Sequence, residues 1–295
     1  MDYSKAKDDF VFRQTEIDDR IIYFEEHYDE WISSLPPEVV QIIVSMLENF
    51  DYYSHQDANM MLQSLHTKLC DQCDGDALFT YIKKKNGMIN SSIDYWTEYR
   101  MINRINKGYC TDDIAGLPAD IWQAIDNIVI IDDCCGTGGS LAKFIKNSGK
   151  IFSGKTIYYL VLHALNASRP VLKQIEDTYK VTIKLLAINE REKACEIVSD
   201  EDAAATRELV IKASRELNIN SDYYLGKDNS EGLMAFHNNT PNNTIGLFWF
   251  ETDKNKPVLP RDYGETPSWR PGIHKMKADK KARKNSNYMA VKQNG

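Results

Sequence analysis

No apolar run in this sequence approaches the roughly 18 to 20 residues that a membrane-crossing helix requires. The opening residues, Met-Asp-Tyr-Ser-Lys-Ala-Lys-Asp-Asp, lack the apolar core of a signal peptide. The expectation is a cytoplasmic protein. Cysteine is scarce as well. The six cysteines, at positions 70, 73, 110, 134, 135 and 195, are too few to form a disulfide framework in a 295-residue chain, so reduced thiols are expected. Cys70 and Cys73 make a C-x-x-C, but no second pair follows at zinc-ligand spacing and the motif does not follow a strand, which leaves ordinary packing as its default role. An excess of positive charge is also missing: 36 lysines and arginines against 43 acids leave a net charge of −7, and an acidic surface does not attract nucleic acid by itself. Strong polarity is absent too, since 42% apolar and 27% charged residues describe a chain that can build a core. No internal repeat is visible.

What is present divides into three regions. Residues 1–75 read as a helical N-terminal region. Ile21, Ile22, Phe24, Tyr28 and Trp31 recur at helical spacing, Pro36-Pro37 opens a second amphipathic stretch through Met46 and Leu47, and a third runs from about Gln56 to Leu69. Residues 76–265 read as an α/β core. Leu78 to Ile82 suggests a strand, Ile128 to Ile131 a strand buried on both faces, and Thr156 to Leu162 and Val181 to Ile188 two more. Helical patterns at 171–179 and 201–217 alternate with them, which implies a mainly parallel sheet. Residues 266–295 are a basic tail in which Lys275, Lys277, Lys280, Lys281, Arg283, Lys284 and Lys292 face Asp279 alone. Such a tail is either a solvated end or a contact for nucleic acid or an acidic partner.

The stretch that carries chemistry is Ile-Val-Ile-Ile-Asp-Asp-Cys-Cys-Gly-Thr-Gly-Gly-Ser at 128–140. A parallel strand delivers Asp132 and Asp133 to its carboxyl end, and a glycine-rich turn then opens an apolar helix through Leu141, Phe144 and Ile145. Amides of Gly136, Thr137, Gly138, Gly139 and Ser140 would point at an anion near the positive end of that helix, with the Thr137 and Ser140 hydroxyls as further donors. Asp132 and Asp133 can reach sugar hydroxyls in the same crevice, directly or through magnesium-bound water. Capping of the next turn is the plain alternative for the two acids. Cys134 and Cys135 are expected to be small fillers of the loop, although a thiol near a helix N-terminus can have a lowered pKa.

With those residues in view, the sequence resembles the phosphoribosyl diphosphate (PRPP) signature of type I phosphoribosyltransferases: four apolar residues, two acids, two variable residues, then small-Thr-Gly-x-Ser. More widely it resembles phosphoribosyltransferase-like proteins of bacterial conflict systems, including antiphage proteins encoded beside retrons. The resemblance implies an α/β phosphoribosyltransferase-like core of five parallel strands with a hood over the acceptor. It also implies PRPP held by Asp132 through Ser140, Mg2+ on Asp132 and Asp133, and glycosyl transfer or cleavage at the ribose anomeric carbon with those two acids catalytic. Many relatives carry an acid where this chain has Gly136, so the obvious general acid or base is missing. The counterpart of the family's pyrophosphate loop would be Lys85 to Ser92, with Ser91 and Ser92 its hydroxyls; the same segment reads equally as a basic turn before a helix capped by one of those serines. Asn242 and Asn243, with Asn238 and Asn239 around Pro241, are either a turn or a polar acceptor loop over the crevice. The tail, by the same resemblance, would meet a retron reverse transcriptase or its RNA–DNA hybrid.

Two other functions stay open. A non-catalytic PRPP or nucleotide sensor that regulates a partner keeps the fold and drops the chemistry, as Gly136 would allow. Asp-Asp-Cys-Cys-Gly-Thr-Gly-Gly also resembles the S-adenosylmethionine loop of DNA adenine methyltransferases. The Asn/Asp-Pro-Pro-aromatic segment of those enzymes is absent, however, and the following strand ends without an acid for the cofactor ribose.

Overall fold

Apolar residues at 128–131 leave no polar face to present to water, so the strand they form must be covered on both sides. The computed structural model, which describes residues 3–83, 90–199 and 201–261, meets that demand with a parallel sheet between two layers. Three helices come first: α1 (Ser4–Phe12), α2 (Asp19–Ser34), started by the Asp18 carboxylate accepting from the Arg20 and Ile21 amides, and α3 (Pro37–Glu48), entered through proline. Next come β1 (Asp51–Tyr53) and α4 (His55–Cys70), which Ser54 and Asp57 cap reciprocally. The sheet region follows as β2 (Ala77–Tyr81), α5 (Ser91–Ile102), α6 (Ala119–Ala124), β3 (Asn127–Cys135), α7 (Gly139–Asn147), β4 (Thr156–Leu165), α8 (Arg169–Tyr179) and β5 (Thr182–Arg191). The chain then adds α9 (Ala194–Val198), α10 (Ala203–Glu216) and β6 (Met234–Phe236).

Strands β2, β3, β4 and β5 lie side by side in that order, all parallel, while β1 and β6 form a separate parallel pair with Asp51 opposite Met234. The protein is therefore an α/β protein with a parallel-sheet core and helices at its N-terminus. The five-stranded sheet implied by resemblance is, among the described residues, four strands plus this pair. One face of the sheet, through Ile128, Ile130, Ile157 and Tyr159, packs with α7 and α8 by way of Leu141, Ile145, Leu172 and Ile175. The other face, through Val129, Ile131, Leu160 and Leu162, packs with α4 and α5 and with Met234 and Phe236 of β6.

Helix α4 lies inside the expected N-terminal region of 1–75 yet packs on the sheet. Helices α1 to α3 instead share a core with residues 194–259, where Trp31, Phe24 and Phe50 meet Leu247 and Phe248. The tryptophan Nε1 donates to the Leu247 carbonyl at 3.3 Å, and Trp31 and Phe248 rings lie 5.4 Å apart. Phe248 and Trp249 are core residues. The expected tail at 266–295 lies outside the described residues, as do 84–89 of the expected pyrophosphate loop. Among the described residues, no helix is long and apolar enough to cross a membrane.

Two strand boundaries differ from expectation. β3 runs on past the aspartates, so Cys134 and Cys135 are the last two residues of the strand rather than part of the loop, held beside His163 and Ala164 of β4. β1 and β6, three residues each, are too short to show a period, and β1 falls between the second and third helical stretches of the N-terminal region.

Candidate functional site

The end of β3 places two acids and is irregular just beyond the first of them. The β3–β4 ladder pairs Asp132 with Val161 and then Cys134 with His163, and the β4–β5 ladder skips the same row, passing from Val161–Ala187 to His163–Asn189. Past the skip the faces no longer alternate: Leu162 packs on the α4–α5 side, and His163 also turns there, its Nδ1 2.8 Å from the Tyr53 hydroxyl, which Asn189 reaches as well. Local ladder breaks of this kind re-aim side chains. Here they turn Cys134 to the α4–α5 side, while Asp132 on the α7–α8 side and Asp133 on the α5 side continue the ordinary alternation of β3, and both acids border one cleft.

Asp132 is only 6% exposed. Its Oδ2 accepts from the Tyr159 hydroxyl at 2.9 Å and its Oδ1 from the Asp133 amide at 3.1 Å. Burial above all, then the neighbouring Asp133 charge, pushes its pKa well above the carboxylate range. Asp133 Oδ1 accepts from the Cys134 amide at 2.8 Å. Across from it on α5, Asp94 is raised by burial and then by the Asp133 charge. Asp132 and Asp133 offer the oxygen donors that a hard divalent cation takes, and such a charge would reverse the penalty on Asp132.

Beyond the acids, Gly136 to Gly138 turn the chain into α7. Gly138 precedes the helix at φ 78°, a conformation that favours glycine, and a Cβ there would press on Val171 and Leu172. The amides of Thr137, Gly139 and Ser140 donate to no described residue, so they remain available at the positive end of α7. Lys143, one turn along, and Lys227 border the hollow of about 170 Å³ that this loop encloses.

The facing wall comes from the other end of the chain. Residues 237–244 bring Asn238, Asn239, Pro241, Asn242 and Asn243 to a larger hollow of about 510 Å³ with Asp132, Asp133 and Arg261; the two hollows share Cys134, Ser140, Asn242 and Asn243. This wall is tied down by its backbone. The Asn243 carbonyl accepts from the Gly232 amide and the Ser230 hydroxyl, both at 2.8 Å, and the Asn242 carbonyl accepts from the Lys227 amide at 2.7 Å. The Tyr95 hydroxyl donates to Asn238 Oδ1 at 3.1 Å, and the Arg261 guanidinium donates to the Thr240 carbonyl. The Asn243 carboxamide fills the space beside Gly136: a Cβ on that glycine would lie 2.1 Å from Asn243 Nδ2. A side chain at position 136 would require the Asn243 carboxamide to move aside.

The two serines part company. Ser91 borders the larger hollow, whereas the buried Ser92 hydroxyl accepts from the Ile82 amide at 2.9 Å and donates to the Ile131 carbonyl at 2.8 Å, stitching β2 to β3. Neither caps α5. Asn90 precedes the helix, and its side chain donates to the Ile82 carbonyl at 2.8 Å. Burial raises both thiols, Cys135 to about 11 and Cys134 further, so at neutral pH they are protonated fillers rather than nucleophiles. Cys70 is exposed and Cys73 half-buried, both free thiols at the end of α4. Sequence reasoning missed Lys143, Lys227 and Arg261. Lys143 was findable, since a helix opening at Gly139 places its first turn beside the loop; the other two become neighbours of the site only through the fold.

A model of the PRTase-CE family matches residues 28–261, a span that contains both walls of this cleft. The chain belongs to the PRTase-CE family. It is thus a phosphoribosyltransferase-like protein. Among solved structures it is similar to a hypothetical protein from Neisseria gonorrhoeae with bound ppGpp, at 12% identity over 54% of this chain and 96% of that one. The TM-score of 0.28 is too low for that likeness to bear on fold or ligand. No curated protein matches.

Proposed function

We propose that this PRTase-CE protein binds PRPP with Mg2+ in the cleft between the β3 end and residues 237–244, and acts at the ribose anomeric carbon by glycosyl transfer or cleavage. The observation that carries the reading is the convergence of Asp132 and Asp133 with an amide-lined loop, Lys143 and Lys227 around two hollows that share four lining residues. The Thr137, Gly139 and Ser140 amides and the two lysines take the 5-phosphate. Asp132 and Asp133 hold the ribose hydroxyls and carry the cation. Mg2+ held by Asp132 and Asp133 would supply charge neutralisation for the departing pyrophosphate. Asn238, Asn239, Asn242 and Asn243 offer carboxamides to the acceptor, and Ser91 borders the space on the α5 side. Rate enhancement in such a site comes mainly from holding the reactants in line, a contribution of up to roughly 7 to 11 kcal/mol in favourable cases.

The setting we propose is an effector role in bacterial antiphage defence. The basic residues beyond 274 would then engage a retron reverse transcriptase or its RNA–DNA hybrid. One observation favours a second reading, a non-catalytic PRPP or nucleotide sensor: Asn243 occupies the place beside Gly136 and leaves it without an acid. Calorimetry with PRPP tests the first claim. Binding should require Mg2+ and be lost in EDTA, while S-adenosylmethionine should not bind; S-adenosylmethionine binding without PRPP binding would refute the assignment. Pyrophosphate release during incubation with PRPP and cell extract then separates the enzyme from the sensor.

A further inference from the structure

Outside the cleft, a second group of chemically potent side chains meets where three distant segments join. His55 is the first residue of α4, Glu98 lies on α5, and His237 follows β6. One ligand atom from each lies within 4.8 Å of the other two. His55 Nε2 is 3.5 Å from Glu98 Oε1, and the two imidazole rings are 4.9 Å apart at an angle of 64°.

The polar atoms here are poorly satisfied by protein. Glu98 Oε2 and His237 Nδ1 are buried and have no hydrogen-bond partner among the described residues, and neither has Asn59 Oδ1, one turn along α4 from His55. Leaving one such atom unpaired costs about 1–3 kcal/mol. Three together at one junction point to a group that satisfies them. Asn59 Nδ2 sits 3.5 Å from His55 Nε2, so the carboxamide already borders the cluster.

We propose that His55, Glu98 and His237 form a transition-metal site of the zinc class that pins the start of loop 237–244 to α4 and α5. Two imidazoles and one carboxylate are the donors that Zn2+ and its neighbours prefer, while Mg2+ and Ca2+ take all-oxygen sets. Three protein ligands leave an open position for water or the Asn59 oxygen. The site is separate from the carboxylates of β3, and the inference does not depend on PRPP being the ligand of the cleft. It does have a consequence for the cleft, because Asn238, next to His237, accepts from Tyr95, which precedes Glu98 by one turn on α5. Metal at the junction would fix both partners of that bond.

The test uses the full chain stripped with EDTA and titrated with Zn2+ by calorimetry, with Co2+ absorption as a second readout. The expected result is a single Zn2+ per chain bound below micromolar, weakened at least about 100-fold in His237→Ala and in Glu98→Gln, since even changes to groups that only support a metal's ligands cost up to that much. His55→Ala, at an exposed ring, supplies a variant that keeps the fold if the other two do not. Co2+ should give ligand-field bands without thiolate charge transfer. Absence of stoichiometric Zn2+ binding overturns the proposal, as does unchanged binding in His55→Ala. A thiolate charge-transfer band overturns it too, by placing the metal at Cys70, whose Sγ lies 3.8 Å from His66 Nε2.

Discussion

The two walls of the cleft are built on opposite plans. One is a single stretch of chain, Asp132 to Ser140, whose positions follow from a strand, a turn and a helix in sequence. The other is assembled from Lys227, residues 237–244 and Arg261, anchored by hydrogen bonds with the Gly232 amide, the Ser230 hydroxyl and the Leu259 carbonyl. The first wall carries charge and open amides and is intrinsically suited to an anion. The second carries carboxamides whose positions depend on the whole fold. Under the function proposed, recognition of the common part of a ligand would belong to the first wall, and discrimination among acceptors to the second.

Breaking the first wall should have the largest effect. Asp132→Asn combined with Asp133→Asn is expected to abolish measurable PRPP binding while the thermal midpoint stays at or above that of the native protein, because Asp132 is buried and disfavours its charge. Full-strength binding by a folded double variant would show that the acids serve the turn alone. Joining the walls too tightly should come next. Gly136→Ala places a methyl group against Asn243, and overpacking of this kind costs about 1–3 kcal/mol. Adding Asn243→Ala should recover most of that loss in a denaturant titration, and no recovery would mean the glycine is needed for another reason.

A subtler difference lies in pH. Since the folded-state pKa of Asp132 is raised, the native protein holds that proton longer than the unfolded chain. Stability from this group is then complete below the unfolded value of about 3.9 and declines as pH rises through the folded value. Asp132→Asn should therefore gain on the native protein toward neutral pH and match it in acid. Mg2+–PRPP binding should release a proton, seen in calorimetry as a heat that changes with the buffer's ionisation enthalpy. Smallest of all is the expected effect of deleting residues 276–295. Ligand affinity should stay constant while association with a nucleic-acid or protein partner weakens; a fall in ligand affinity would place the tail in the cleft.

Legibility of the sequence follows the same division. Ile128 to Ile131 announces a doubly covered strand, and the acid–glycine–hydroxyl order after it needs no distant residue for its interpretation. The strand's extension through Cys134 and Cys135 was hidden because the ladder partners that hold them, His163 and Ala164, are themselves at the end of another strand. The skipped row at Asp133 involves β3, β4 and β5 together, so no single segment encodes it. Asn242 and Asn243 are readable as turn or wall with equal right, since asparagine and proline favour turns for local reasons, and the proximity of Asn243 to Gly136 arises only in the fold. Ser92 misled for a related reason. A serine before an apolar helical stretch is usually a cap, but this one is spent between two strands.

The pairing of β1 with β6, and of the first three helices with residues 194–259, also governs when this protein comes into being. As the chain leaves the ribosome, α1 to α3 emerge with their aromatic faces uncovered, and their partners are made only after the whole four-stranded sheet. Contacts so remote in sequence form slowly and leave sticky surface exposed meanwhile. The cleft has a nearly complete first wall long before the second exists, so a half-made chain can offer an anion cradle but cannot close it. Competence would thus arrive abruptly, once residues 237–261 have been made.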